Sequence, residues 1–390
     1  MANILDYLDW RGDLTLIERG FNEVDNLLMA ELCFLDFAGI VPPGFDAPVP
    51  LPEAMARYDA LRADATMGVL VPEQIPQLGR KMAASARFSE LRLCGYVSRI
   101  DDETQTQFAA LSALLPDGTA YIAFRGTDDT IVGWKEDFNL AFLPVVPAQA
   151  MAAQYLAAAA AQLPQKALRI GGHSKGGNLA VYSAVFCDEA VQNQIMYVYN
   201  NDGPGFRTSL LPLEQHKRIA GRIVTILPES SVVGMLLEHE ERYEVVRSTQ
   251  IGLWQHDGFS WQVRGEAFEH LPDLTEGGKL IDETLRAFIL SLSDEQRVAF
   301  TDALFDVLTC TDAGTLTDLK EGGLKTAAAM VKKYRELDKP TRQALGSTLR
   351  LFIKAGAKTA AAELSPTQRL LRHLPLQNVA DGLDEPPAQP

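Results

Sequence analysis

The residues with the most chemical content are Gly172, Ser174 and Gly176, within Arg169-Ile170-Gly171-Gly172-His173-Ser174-Lys175-Gly176-Gly177-Asn178-Leu179-Ala180. They spell G-x-S-x-G, a pattern that can set a serine on a sharp turn between a strand and a helix, hydroxyl outward. Side chains two positions to either side would collide with the adjoining strand and helix, hence the glycines. The chemistry implied is nucleophilic attack by the serine. The short pattern recurs by chance, so the reading depends on context. Residues 167–171 read as a short buried strand. Residues 178–186 read as a helix with Leu179, Tyr182 and Phe186 on one face. A Gly-rich turn, or a cradle of backbone amides for phosphate, is the competing use. The G-x-x-x-x-G-K-[ST] spacing of a P-loop is missing.

A serine hydroxyl needs a base within hydrogen-bond reach. The histidines after Ser174 are His216, His239, His256, His270 and His373. His256 is preferred, since it sits in the polar turn Leu253-Trp254-Gln255-His256-Asp257-Gly258 after the last expected main strand. His239 lies in Glu238-His239-Glu240-Glu241 and reads as a solvated charged face. His173 would point away from the serine and pack or hydrogen-bond inside the turn. The base in turn needs an acid on its far nitrogen. Asp202 and Glu229 each follow an expected strand, and both stay open. Asp202 could instead be a turn-forming Asp-Gly. Asp257, next to His256, is a poor orienter. Thr127 follows the strand before the serine strand, in Arg125-Gly126-Thr127-Asp128-Asp129. The backbone N–H groups of Thr127 and Lys175 could face a developing oxyanion, with the Thr127 hydroxyl as an extra donor. Otherwise this is a polar turn.

These residues need a frame. Strands are expected at 88–99, 105–114, 119–124, 167–171, 194–199, 222–227 and 243–247, with a short run at 259–263. Asp117-Gly118 is a hairpin signal, so the first strands should pair antiparallel at one sheet edge. From 119 to 227 strands alternate with helices such as 148–163, which argues for a parallel sheet covered on both faces. Before the sheet, residues 22–37 and 51–65 look helical, with Asn22 placed to cap the first. Asp13, Glu23 and Asp25 could suggest a metal site, but caps and salt bridges are commoner uses. After about residue 272 the pattern becomes helical, at 282–292, 294–308, 316–337 and 341–357. The expected division is an N-terminal helical segment packed on the core (1–80), an α/β core (81–271), a helical appendage (272–375) and a disordered tail (376–390).

At 390 residues the chain can bury a large core. A net charge of −15 argues against nucleic-acid binding. Between Lys320 and Arg372 basic residues outnumber acidic ones, so the rest is more acidic still. The four cysteines are far apart with no C-x-x-C pair, which fits reduced thiols in a cytosolic protein better than a disulfide framework or zinc site. No signal peptide is recognisable, and no run approaches the roughly 18 apolar residues of a membrane span.

Phe124-Arg125-Gly126-Thr127, Gly172-His173-Ser174-Lys175-Gly176-Gly177 and Ile223-Val224-Thr225-Ile226 resemble the class 3 lipases of the α/β-hydrolase superfamily. Those enzymes carry a Phe-Arg-Gly-Ser/Thr oxyanion motif and a Gly-His-Ser-Leu-Gly-Gly elbow; here Lys175 replaces the usual leucine, and it reads most simply as an exposed lysine, or as a positive charge near an anionic substrate. The chain is more similar still to the Mbeg-like family of lipase-like bacterial proteins. Asp6-Tyr7-Leu8, Phe21-Asn22-Glu23-Val24-Asp25, the elbow, Asn201-Asp202-Gly203-Pro204-Gly205-Phe206 and Trp254-Gln255-His256-Asp257 carry that likeness. The lipase resemblance covers about residues 85–265, and the closer one nearly everything except the C-terminal helices. It implies an α/β-hydrolase-like fold and a serine hydrolase acting on acyl esters, small-molecule or lipid. Ser174, His256 and Asp202 or Glu229 would form the triad. Neither acid reproduces the Asp-x-Val-Pro pattern of class 3 lipases. Some other lipases take the acid from the earlier strand, which favours Asp202. This mechanism calls for no metal or organic cofactor. The alternative is an inactive hydrolase scaffold whose basic helices, within residues 325–358, could lie on anionic lipid or dock a protein.

Overall fold

Residues 120–124 alternate between two apolar environments. Tyr121 and Ala123 join a cluster with Leu27, Leu28, Phe37 and Trp261. Ala120, Ile122 and Phe124 join another with Leu156, Leu179 and Val181. A strand buried on both faces belongs in the middle of a sheet sandwiched between helices. The computed structural model has that architecture. It describes residues 1–346, apart from 64, 70, 141–142, 164–165, 207–212, 238–241, 277–292, 312, 340 and 344.

In chain order come α1 (Ile4–Arg11), α2 (Glu23–Leu32), β1 (Val49–Pro50), α3 (Leu51–Leu61), α4 (Ile75–Ala84), β2 (Arg92–Asp101), β3 (Thr106–Leu114) and β4 (Ala120–Phe124). Then follow α5 (Ile131–Leu140), α6 (Pro147–Gln162), β5 (Leu168–His173), α7 (Lys175–Phe186), α8 (Glu189–Gln192), β6 (Ile195–Asn201), α9 (Leu213–Ala220), β7 (Ile223–Pro228) and β8 (Tyr243–Val246). Three short strands close the series: β9 (Val263–Arg264), β10 (Ala267–Phe268) and β11 (His270–Leu271). The described residues form a nine-stranded sheet in the order β1 to β8, then β11. Strands β1 to β4 pair antiparallel, β4 to β8 parallel, and β11 returns antiparallel on β8. This is the expected parallel core, β4 to β8, with the expected antiparallel edge and a second antiparallel strand, β11, at the other edge, an α/β-hydrolase-like fold with a C-terminal helical part.

The N-terminal helices are fixed by capping and by buried polar bonds. Asn22 accepts from the N–H groups of Val24 and Asp25, while Asp25 reaches back to the Asn22 N–H, a capping box. Asp25 also binds Arg87, both fully buried, and accepts from the Tyr7 hydroxyl. Asn26, one residue on, donates to Asn201 at the end of β6 and accepts from Tyr121. Helix α2 is thereby seated against the sheet next to the elbow. Of the acids considered for a metal site, Asp25 serves the cap and the Arg87 pair, Glu23 pairs with His270 at 2.8 Å, and Asp13 is exposed.

The expected helix at 316–337 is two helices, Leu316–Glu321 and Gly323–Glu336. Gly323, at φ 54°, turns the chain between them. Residues 259–263, an apolar run, contain a tight turn at Gly258–Ser260 before β9. Helix 294–308 is present as Asp294–Leu308. The expected helix at 282–292, most of that at 341–357 and the tail at 376–390 lie outside the described residues. Among the described residues no helix is long and apolar enough to cross a membrane.

Candidate active site

Strand β5 ends at His173 and α7 starts at Lys175, leaving Ser174 alone in the turn, at φ 58° and ψ −133°. A non-glycine residue held there carries of order 1–3 kcal/mol of strain, so the surroundings must impose it. They do so by close approach. A Cβ on Gly176 would lie 2.1 Å from the Phe124 carbonyl oxygen, and one on Gly172 would lie 2.3 Å from the Gly176 backbone. The Ser174 N–H donates to the Asn201 carbonyl at 2.9 Å, tying the turn to β6. Among the described residues the Ser174 hydroxyl makes no hydrogen bond.

Four non-glycine residues have positive φ among the described residues, and Asp202, at φ 50°, is another of them. It follows β6 and is fully buried. Its Oδ2 lies 2.6 Å from His256 Nδ1. Its Oδ1 accepts from the Ser231 hydroxyl and, at 3.2 Å, from the Gly234 N–H. Gly234 must be glycine here, since a Cβ would sit 2.3 Å from that oxygen. The structure thus brings Asp202 to His256. Glu229 is turned elsewhere, with Oε1 accepting from the Ser248 N–H at 3.3 Å.

His256 sits in a turn anchored on both sides. The Gln255 side chain accepts from the Ser230 N–H at 2.8 Å, and the Gln255 carbonyl accepts from the Trp261 indole at 2.9 Å. The His256 carbonyl accepts from His173 Nε2 at 2.7 Å, and the two rings lie 4.5 Å apart. Burial drives His173 well below the usual histidine range, and the adjacent His256 adds to this. A neutral ring that donates through Nε2 carries its proton there. His173, the residue beside Ser174, therefore ties the elbow to the turn that holds His256. Glu31, from α2, lies 3.6 Å from His173 Nδ1. Burial, aided by Asp257, pushes its carboxyl well above the usual range. Burial thus disfavours charge on both groups of this contact.

The two other described histidines stand apart from this arrangement. His270 pairs with Glu23, His216 is buried on α9, and His239 and His373 lie outside the described residues. Asp257 accepts from the Phe259 N–H at 2.9 Å and makes no bond to the His256 ring.

Thr127 follows β4, and its loop lies against the elbow. A Cβ on Gly126 would meet the His173 carbonyl at 2.6 Å and Ser174 Cβ at 3.2 Å. The Thr127 hydroxyl, expected as an extra oxyanion donor, instead donates to Asp137 Oδ2 at 2.5 Å. Lys175 corrects a second expectation. A lysine beside a surface serine suggests an exposed charge near substrate, but this side chain is 1% exposed. Burial of the first turn of α7 turns it inward, where Glu136 at 2.9 Å balances its charge.

Asp137 is mostly buried, and burial pushes its carboxyl up to about 6, against the opposing pull of Lys175 and the Thr127 hydroxyl. A raised folded-state value means the folded protein holds this proton longer than the unfolded chain. Stability from this group is present below about pH 4 and lost as pH rises through about 6. Wild-type protein should therefore lose urea resistance relative to Asp137→Asn between pH 4 and 7. Parallel urea midpoints across that range would refute the assignment.

A profile of one known family, Mbeg1-like, matches residues 82–306, more than half of the chain. The chain belongs to the Mbeg1-like family. The matched stretch of this Mbeg1-like protein contains Thr127, Ser174, Asp202 and His256; α1, α2 and α3 lie before it. The search of curated proteins found no match. Among solved structures, the Mbeg1-like chain is similar to the lipase–propeptide complex of Rhizomucor miehei, at 19% identity and TM-score 0.31. That alignment covers 42% of this chain and 58% of the other, so this chain spans less than two thirds of that structure. Lipase II from Rhizopus niveus aligns at 13% identity and TM-score 0.33, over 55% and 79% of the two chains. The Lip2 lipase from Yarrowia lipolytica aligns at 12% identity and TM-score 0.32, over 50% and 76%.

Proposed function

We propose that this protein is a serine hydrolase that cleaves acyl esters. The observation that carries the reading is the buried Asp202 carboxylate 2.6 Å from Nδ1 of His256, whose carbonyl accepts from His173, the residue next to Ser174. With Nδ1 facing Asp202, Nε2 is the nitrogen left to take a proton. His256 Nε2 takes the Ser174 proton as Oγ bonds to the ester carbonyl carbon. The backbone N–H groups of Thr127 and Lys175 face the resulting oxyanion. His256 then protonates the leaving alcohol as its C–O bond breaks. Water attacks the acyl-enzyme, giving a proton to His256 that returns to Ser174 when the acid leaves. Asp202 stabilises the imidazolium and its orientation throughout.

The exposed side chains of Leu253 and Trp254, 60% and 65% exposed, lie just before His256. An apolar surface beside the base favours a lipid-like acyl ester over a small polar one.

The test is covalent labelling of purified protein with a fluorophosphonate. Wild type should label and Ser174→Ala should not. Folded wild-type protein that resists labelling by short and long alkyl fluorophosphonates would sink the hydrolase reading. It would shift weight to an inactive scaffold that binds partners through helices such as Gly323–Glu336, which carries Lys325, Lys332, Lys333 and Arg335.

A further inference from the structure

The mechanism above uses only the backbone of Lys175, yet its side chain is among the largest that are fully buried. A leucine at this position could only pack. A buried ammonium must be paired and hydrogen-bonded, because removing it from water costs several kcal/mol. Its partners come from two other elements. Nζ donates to the Gln107 carbonyl at 3.0 Å and to Gln107 Oε1 at 2.6 Å, both on β3. It also donates to Glu136 Oε2 at 2.9 Å, on α5.

Both partners lead to the loop that carries Thr127. The Gln107 amide donates to the Gly126 carbonyl at 3.4 Å. Beside Glu136, Asp137 holds Oδ1 at 3.8 Å from Nζ while its Oδ2 accepts the Thr127 hydroxyl. Glu136 is itself fixed by the N–H groups of Gln107 at 3.1 Å and Ala148 at 2.9 Å. Two chains of contacts thus leave one ammonium and end on adjacent residues, Gly126 and Thr127.

We propose that Lys175 is a positioning residue whose side chain clamps the Gly126-Thr127 loop over the elbow. The clamp keeps the Thr127 N–H aimed at the same point as the N–H of Lys175 itself. The catalytic consequence rests on the serine hydrolase reading; the clamp does not. A misplacement of about 1 Å near the reacting atoms can cost about 10²-fold in rate.

The experiment compares full-length wild type with Lys175→Leu/Glu136→Gln, which removes the two charges of the 2.9 Å pair together. Gln107→Leu cuts the Gly126 arm without leaving a charge unpaired, and serves if the double variant does not fold. Two quantities are read: amide hydrogen exchange in a peptide covering residues 124–130, and kcat and KM for p-nitrophenyl butyrate. Expected in the double variant is exchange about tenfold or more faster in that peptide, with β5 and β6 unchanged. Its kcat should fall about 10²-fold with little change in KM. Gln107→Leu should move both in the same direction by less. Unchanged exchange in a folded variant overturns the clamp, and faster exchange with unchanged kcat overturns its positioning role. If wild type proves inert toward esters and fluorophosphonates while the variant exchanges faster, the hydrolase reading falls and the clamp stands.

Discussion

Asp202→Asn should lower the fluorophosphonate labelling rate and kcat by about 10⁴-fold with the fold intact. The carboxylate accepts from His256 Nδ1–H and so leaves Nε2 bare to take the serine proton. An asparagine at φ 50° tolerates the backbone, since this residue type adopts left-handed conformations more readily than most. Its amide N–H₂ can face Nδ1 as a donor, which favours the tautomer with the proton on Nε2. That ring cannot act as the base. Circular dichroism and the urea midpoint should stay near wild type, because Ser231 and Gly234 can still bond the remaining carbonyl oxygen. Glu229→Gln is the control and should lose less than tenfold, because Glu229 bonds Ser248 and not His256. An Asp202→Asn variant within tenfold of wild type would remove Asp202 from the triad.

The largest effect on stability is expected at Arg87. Its guanidinium is fully buried, binds both oxygens of Asp25, and donates to the carbonyls of Arg19 at 3.0 Å and Gly20 at 2.9 Å. Arg87→Met leaves the Asp25 carboxylate buried without its counter-charge and strips donors from the 14–20 turn. Breaking one side of a buried pair costs about 3–5 kcal/mol, and that loss is expected in urea unfolding. Asp25→Asn/Arg87→Met should recover part of it, since no charge is then stranded. A single-variant loss below about 1 kcal/mol would mean that water reaches the pair and that it does not brace the N-terminal segment.

The sheet was readable because its strands are buried on both faces and bounded by Gly, Pro, Asn and Asp. The alternation in residues 119–227 is visible without coordinates. So are Asn22 as a cap and the glycines around Ser174, since each answers to a local rule. Long-range polar pairing is different. Nothing in the vicinity of Asp25 announces Arg87, which lies 62 positions away. Lys175 misled because a lysine in a polar motif reads as exposed, and only Gln107 and Glu136 reveal a site for a buried charge. The choice between Asp202 and Glu229 needed the turn that carries His256. Ser231 and Gly234 were missed as supports of Asp202; the Ser-Ser-Val-Val-Gly run after β7 offered only its small residues as a hint.

The contact between Asn26 and Asn201 joins positions 175 apart in sequence. Helix α2 precedes β6 in the chain, so the bond that ties it to the end of that strand cannot form until β6 has been translated. At about 5–20 residues per second Asn26 waits roughly ten seconds or more for Asn201. In that interval α2 can pack only on earlier elements, through residues such as Leu78, Leu111 and Tyr121. The polar tie beside the elbow is therefore a late closure on a helix whose apolar face is already covered.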